Sequence, residues 1–106
     1  TQTKLCIPIV LRIYNKMRIG IKLRGIKLEG DLIIDGHHRY IASLLAEYAL
    51  ESIPSNSTSA TTVTKWDEVE LVESDWDTSA KILMLNEQDA SYNDISLEKL
   101  VDMLKN

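Results

Sequence analysis

The residues with the clearest chemical potential lie together in the segment Asp35-Gly36-His37-His38-Arg39-Tyr40, which we call the box. Both histidines of the chain are in the box, directly before an arginine. Imidazoles exchange protons near neutral pH, and a guanidinium can grip a phosphate through two N–H groups. Asp35 can accept a proton, hold Mg²⁺ or orient an imidazole. The box therefore predicts a site with acid, base and anion-binding parts.

The elements around the box predict that it binds its anion at the start of a helix. The apolar run Leu32-Ile33-Ile34 predicts a buried strand, and Gly36 permits a sharp turn after it. A helix is predicted from about His38 to Leu50. The first N–H groups of a helix have no partner within it and carry partial positive charge, which favours phosphate.

The same residues are also compatible with a purely structural turn. In that interpretation Asp35 caps the helix and Arg39 pairs with Glu29 or Asp31. His37 is then a solvated turn residue, and His38 or Tyr40 is part of the core. The sequence leaves both interpretations open.

Residues 34–43, Ile-Asp-Gly-His-His-Arg-Tyr-Ile-Ala-Ser, resemble the Gly-x-His-Arg segment of the ParB/sulfiredoxin superfamily. The likeness covers about residues 30–50. It implies a small α+β fold, with a short sheet and flanking helices, that binds phosphate at a helix N-terminus. If the features of that superfamily are carried over to this chain, Gly36 allows the backbone to approach phosphate closely. Asp35 then matches the acidic residue that precedes the glycine. The phosphate contacts would be made by Gly36, His38, Arg39 and Tyr40.

The chain also departs from the known members of that superfamily. Sulfiredoxins have a catalytic cysteine where this chain has His37, and Cys6 lies in another segment, so reduction of sulfinic acids is not expected. The motifs that flank the box in chromosome-partitioning proteins are missing, and 106 residues leave no room for their helix-turn-helix domain. The resemblance therefore implies a minimal ParB-like module.

Two catalytic functions follow as expectations. The first is a ParB-like nuclease that hydrolyses phosphodiesters, as the toxin domain of a larger secreted bacterial effector that acts in the cytoplasm and needs an immunity protein. Arg39 would stabilise the transition state, His37 or His38 would be acid or base, and Asp35 would orient a histidine or hold Mg²⁺. The second is an ATPase or kinase-like phosphotransferase that binds ATP or CTP, with Mg²⁺ at Asp35.

A third, non-catalytic function is an interaction module. The acidic stretch 67–77 would dock a basic partner, with Trp66 and Trp76 as anchors. The alternative is that this stretch is a solvated face with both tryptophans buried.

Charge is divided unevenly along the chain. Residues 1–40 carry eight basic and three acidic side chains, a net of +5, whereas residues 41–106 carry a net of −9. Either the basic part binds phosphates, or the two parts attract each other and help the domain close. The overall charge of −4 argues against tight, nonspecific binding of DNA. The predicted contacts to a nucleic-acid backbone are Arg12, Lys16, Arg18, Lys22, Arg24 and Lys27.

Apolar spacing and turn residues predict a small α+β domain in the order helix, hairpin, helix, strand, helix, helix. The first helix carries Pro8 in its first turn, ends at Gly20 and turns Arg12, Lys16 and Arg18 outward. The helix after the box has Ile41, Leu44, Leu45 and Tyr48 on one face. The remaining predictions are a hairpin over 26–34, a loop over 52–62, a strand over 63–72, a helix from Asp77 or Thr78 to about Asp89, and a helix over 97–105 capped by Ser96.

Composition bounds the class of protein. One cysteine excludes an intrachain disulfide scaffold, and no apolar run is long enough to cross a membrane. A length of 106 residues predicts a single domain over 1–106. The chain begins with Thr1 and shows no signal peptide, so we expect the C-terminal domain of a longer protein.

Overall fold

Helices and short strands alternate along the chain, which confirms the predicted α+β class. The computed structural model describes residues 4–29, 32–54 and 69–105. None of the described helices is long and apolar enough to cross a membrane. The elements are β1 (Lys4–Cys6), α1 (Ile7–Arg18), β2 (Ile26–Glu29), β3 (Leu32–Asp35), α2 (His37–Ala46), β4 (Ser52–Pro54), β5 (Glu70–Val72), α3 (Ser79–Tyr92) and α4 (Leu97–Leu104).

The described strands form two small sheets. β2 pairs with β3 in antiparallel register, with Leu28 opposite Ile33, which confirms the predicted hairpin that leads into the box. β4 pairs with β2 in parallel register and completes the order β3-β2-β4. β1 and β5 form a separate parallel pair. The first sheet therefore leads directly into α2, and the second joins the start of the chain to the segment that precedes α3.

α1 begins and ends where the sequence predicts. Pro8 lies in the first turn, where the missing N–H removes no helical hydrogen bond. At the other end, Gly20 has a φ of 88°. The N–H groups of Gly20 and Ile21 donate to the carbonyls of Met17 and Lys16 at 3.1 and 3.0 Å. These two hydrogen bonds form a Schellman motif, which satisfies carbonyl groups that have no partner within the helix.

Side-chain caps start the last two helices. Thr78, rather than Asp77, caps α3 and accepts a hydrogen bond from the N–H of Lys81 at 3.2 Å. Ser96 caps α4 in the same way and accepts from Lys99 at 3.1 Å, as predicted. Each bond satisfies one backbone donor in the first turn.

The core lies between α1, α2 and the α3–α4 hairpin. Its buried members are Val10, Met17, Ile21, Leu23, Ala42, Ala90 and Leu100. α2 contributes Ala42 and Ser43 to the buried side, whereas Leu44 and Leu45 are 60% and 59% exposed. The predicted face is therefore divided: Leu44 and Leu45 are exposed, whereas Ile41 and Tyr48 pack against the core. Small side chains face the interior, which lets α1 pack closely against α2.

The strand assignments were less accurate than the helix assignments. Ser52–Pro54, predicted as loop, forms β4. The strand predicted over 63–72 is confirmed only at Glu70–Val72, because residues 63–68 lie outside the described part. The helix after the box ends at Ala46 instead of Leu50.

The segment 21–25 has no regular structure, and side chains from other elements hold it. Asn93 accepts a hydrogen bond from the N–H of Lys22 at 2.7 Å and donates to its carbonyl at 2.8 Å. The hydroxyl of Tyr48 accepts from the N–H of Leu23 at 3.2 Å. These bonds replace the strand pairing that the segment lacks.

Candidate functional site

Gly36 places the box at the start of α2. It is the N-terminal cap of the helix and has φ 99° and ψ 31°, a left-handed conformation that glycine adopts without strain. A Cβ at this position would lie 2.5 Å from Cγ2 of Ile26 and 2.9 Å from a terminal guanidinium nitrogen of Arg39. The absence of a side chain therefore lets the Arg39 guanidinium lie against the first turn of α2.

His38 is held by contacts that the sequence did not indicate. Its Nε2 accepts a hydrogen bond from the backbone N–H of Cys6 at 3.0 Å. Its ring meets the ring of Trp76 edge-on, with centroids 5.7 Å apart. Burial lowers the pKa of His38 below its usual value, and the charge of Asp77 opposes that shift. His38 is therefore neutral at pH 7, with its proton on Nδ1.

The other members of the box take different positions. His37 is buried, Tyr40 is half-buried, and both belong to the first turn of α2. Asp35 ends β3 opposite Lys27. The catalytic and Mg²⁺ predictions for Asp35 concern a side chain outside the described part. Among the described side chains, no group of three His, Cys, Asp or Glu is arranged to hold a metal ion.

Arg39 lines a cavity of about 150 Å³ between α1 and α3. Four cationic side chains and two carboxylates border this space, which we call the cationic cavity, and amides and aliphatic side chains complete its wall. Of the box side chains that the structure describes, Arg39 alone is among them. The charged members are Arg12, Lys16, Arg24, Arg39, Asp77 and Asp89, and the others are Ile9, Ile13, Leu23, Ile82, Leu85, Asn86 and Gln88.

Arg12 joins the cavity to the turn before α3. Its two terminal nitrogens donate to the two oxygens of Asp75 at 2.7 and 2.8 Å, and one of them also donates to Asp77 at 3.3 Å. The guanidinium holds the pKa of Asp75 at about 2. The bond to Asp75 in turn raises the pKa of Arg12. This bidentate geometry is the one in which guanidinium binds carboxylate or phosphate most strongly.

Lys16 points inward, contrary to the prediction that it faces solvent. Its side chain is only 7% exposed, and Nζ lies 2.6 Å from Oδ2 of Asp89 on α3. A buried ammonium needs such a partner because desolvation is costly. Lys16 is therefore not available as a surface contact to a nucleic-acid backbone.

The six cationic residues predicted to contact a nucleic-acid backbone therefore fall into two groups. Arg12 and Lys16 are engaged inside the domain, whereas Arg18, Lys22, Arg24 and Lys27 are exposed. Lys22 lies over the ring of Tyr92, with Nζ 5.9 Å from the centroid. Arg24 borders the cationic cavity from the outside.

Sequence reasoning missed the contribution of α3 to the site. The sequence predicts Asp77 as a helix cap or as part of the acidic docking stretch, and it indicates no site role for Asn86, Gln88 or Asp89. The excess of acid in the second half was the available signal, but it does not identify which carboxylate meets which cation.

The stretch proposed as a docking surface is described only from Val69 onward. Within it, Trp76 is partly exposed, and Glu73, Ser74 and Asp75 are exposed. Trp66 lies outside the described residues. The Trp76 ring meets the His38 ring at an interplanar angle of 83°.

Comparison with known proteins returned no relatives. No protein-family model matches the chain, no curated protein matches it, and no solved structure is similar to it.

Proposed function

We propose that this domain binds the phosphate end of a nucleotide in the cationic cavity and hydrolyses or transfers a phosphoryl group. The observation that carries the proposal concerns the described residues: four cationic side chains border one cavity, against the two carboxylates of its wall and that of Asp75, which binds Arg12. A cavity with excess positive charge attracts a polyanion of limited size. A volume of about 150 Å³ suits the phosphates, with the nucleoside lying outside.

Arg39 is the main phosphate ligand in this proposal. Its guanidinium lies against the start of α2, where the helix dipole adds positive charge, and it also borders the cavity. Charge on a phosphoryl group in the transition state would therefore meet a guanidinium and a helix terminus together.

His38 would serve as a general base, and the link to the cavity is Asp77, which borders the cavity and whose charge acts on the imidazole. Its lowered pKa keeps the imidazole neutral at pH 7, which is the form that accepts a proton. Its Nε2 is engaged with Cys6, so proton uptake at Nε2 requires that bond to open. His37 would act as an acid or a base. Asp35 would hold the Mg²⁺ that accompanies the nucleotide.

A second candidate is the ParB-like nuclease, in which the same cavity holds one phosphate of a nucleic acid. Its support is the exposure of Arg18, Lys22, Arg24 and Lys27, which would contact neighbouring phosphates. As a bacterial toxin domain, it would also need an immunity protein. The engagement of Arg12 and Lys16 inside the domain favours the nucleotide over this extended ligand.

Calorimetric titration with ATP, CTP and adenosine, each with Mg²⁺ and with EDTA, tests the proposal. Arg39→Gln should weaken triphosphate binding by about 10-fold or more, since hydrogen bonds to charged groups are worth about 1.5–3 kcal/mol. Arg18→Gln removes the same charge from an exposed site away from the cavity, and should leave binding unchanged. Adenosine should not bind.

Plasmid DNA and RNA are incubated with the same variants. Cleavage that Arg18→Gln reduces, with binding that falls steeply as salt rises, would establish the nuclease instead. Equal triphosphate binding by wild type and Arg39→Gln, or none by either, contradicts the proposed site.

A further inference from the structure

We propose that residues 75–77, the Asp75 turn, compete with the phosphate ligand for Arg12, so that ligand binding displaces the turn from the cavity. The inference rests on the proposed function, because it concerns how the same cavity is filled. It assigns to Asp75 and Asp77 a role in setting ligand affinity.

The Asp75 turn occupies Arg12 in the way a phosphate would. Both terminal nitrogens of Arg12 donate to Asp75, and one also reaches Asp77. Carboxylate and phosphate present a pair of oxygens to the same guanidinium fork. Asp77 itself borders the cavity and its side chain is only 9% exposed. A phosphate that enters the cavity therefore finds the carboxylate of Asp77 already next to Arg12.

The turn can leave at a modest energetic cost. Asp75 is 38% exposed and Trp76 is 44% exposed, so both carry part of their surface in water already. The Arg12–Asp75 pair is partly exposed and therefore contributes little to stability. Asp77 is buried, and the loss of its contact to Arg12 is offset because a phosphate with more than one negative charge takes its place. The described contacts of the turn are those to Arg12, the bond from the Asp77 N–H to Asp75 at 3.0 Å, and the edge of His38.

The second ion pair of the cavity, Lys16 with Asp89, would be costly to separate. Lys16 is almost fully buried against Asp89, and Asp89 belongs to the helix α3 rather than to a turn. Separating that pair would leave a buried charge without its partner. Arg12 is therefore the cation that changes partner, and Lys16 keeps its own.

Trp76 reports the displacement, since it lies between the two carboxylates and contacts His38. In a Trp66→Phe background it is the single tryptophan of the chain. ATP should therefore change the emission of Trp76. The same step would uncover His38 and link occupancy of the cavity to the environment of the proposed base.

The test compares ATP binding, by calorimetry and by Trp76 emission, in wild type, Asp75→Asn and Asp77→Asn. Each substitution keeps the shape and removes one competing charge, so affinity for ATP should rise about five-fold. Asp94→Asn is the matched control: it removes the same charge at an exposed site outside the cavity, and Asn tolerates the positive φ of 54° there. Circular dichroism and urea unfolding establish that each variant is folded.

The outcomes separate the two proposals. If wild type binds ATP through Arg39 but Asp75→Asn and Asp77→Asn bind no tighter than Asp94→Asn, the competition is refuted and the proposed function stands. Unchanged Trp76 emission on binding refutes the displacement in the same way. Binding by the Asp75 and Asp77 variants but not by wild type supports both proposals. No binding by any variant overturns both, because releasing Arg12 should then have exposed the site.

Discussion

At the scale of single residues, adjacent members of the box serve different purposes. His38 accepts a hydrogen bond from the backbone of β1, and Arg39 extends into the cationic cavity. The sequence predicted both at a helix start, and the structure places both there. It did not indicate Cys6 or Trp76 as neighbours of His38, because they lie 32 and 38 positions away and only tertiary packing brings them together.

The bond from Cys6 to His38 predicts a dependence of stability on pH. Burial lowers the pKa of His38 in the folded state, so the unfolded state binds the proton more readily. The contribution of neutral His38 to stability is therefore complete above its unfolded pKa, about 6.5. It declines as pH falls from there towards the folded pKa. His38→Gln, which keeps a hydrogen-bond acceptor but does not titrate, should lose this decline.

Urea unfolding of wild type and His38→Gln between pH 8 and pH 5 measures the effect. His37 is present in both proteins, so the comparison isolates the effect of His38. The gap between the two free energies of unfolding should change across the window, with wild type losing more on acidification. A gap that stays constant would show that His38 has the same pKa folded and unfolded.

At the scale of elements, local signals were recoverable from sequence and non-local ones were not. Thr78 and Ser96 cap their helices through bonds to residues three positions away, and a sequence displays such spacing directly. β4 is three residues long and contains Pro54, so neither length nor alternation reveals it. Its pairing with β2, 26 residues earlier, exists only in the folded chain.

The turn from β3 into α2 makes the clearest prediction about an element. Gly36→Ala would impose left-handed strain, of about 1–2 kcal/mol, and a clash with the buried side chain of Ile26. Overpacking adds about 1–3 kcal/mol. Gly20→Ala is the matched control, since Gly20 has φ 88° but nothing within 4 Å of a Cβ there.

Urea unfolding should therefore show a loss of about 1 kcal/mol for Gly20→Ala and of about 3 kcal/mol for Gly36→Ala. The difference between the two isolates the clash, because both carry the strain. Gly36→Ala should also move the Arg39 guanidinium and weaken triphosphate binding. Similar losses in the two variants would mean that Ile26 moves aside freely.

At the scale of the whole molecule, the uneven charge distribution contributes to folding. Among the described residues, four ion pairs join the basic first part of the chain to its acidic second part: Lys4 with Glu70, Arg12 with both Asp75 and Asp77, and Lys16 with Asp89. The sequence left open whether the basic part serves a ligand or the domain itself, and these pairs show that it serves the domain at least in part. The position of Lys16 was mispredicted because a lysine at the border of an apolar stripe faces solvent unless a partner lies inside. That partner, Asp89, is 73 residues away.

The Lys16–Asp89 pair separates a folding role from a ligand-binding role. Lys16→Met keeps the buried stem but leaves Asp89 without its cation. Breaking a buried pair costs about 3–5 kcal/mol, and because Asp89 is 26% exposed we expect a loss nearer to about 2 kcal/mol. Lys16→Met with Asp89→Leu should recover much of that loss, since apolar pairs replace buried ion pairs well.

Lys4→Met, at the exposed pair with Glu70, should cost less than about 0.5 kcal/mol. Urea unfolding of these three variants and of wild type measures the differences in stability. If Lys16→Met instead leaves stability unchanged and weakens binding to DNA, Lys16 belongs to a nucleic-acid surface after all.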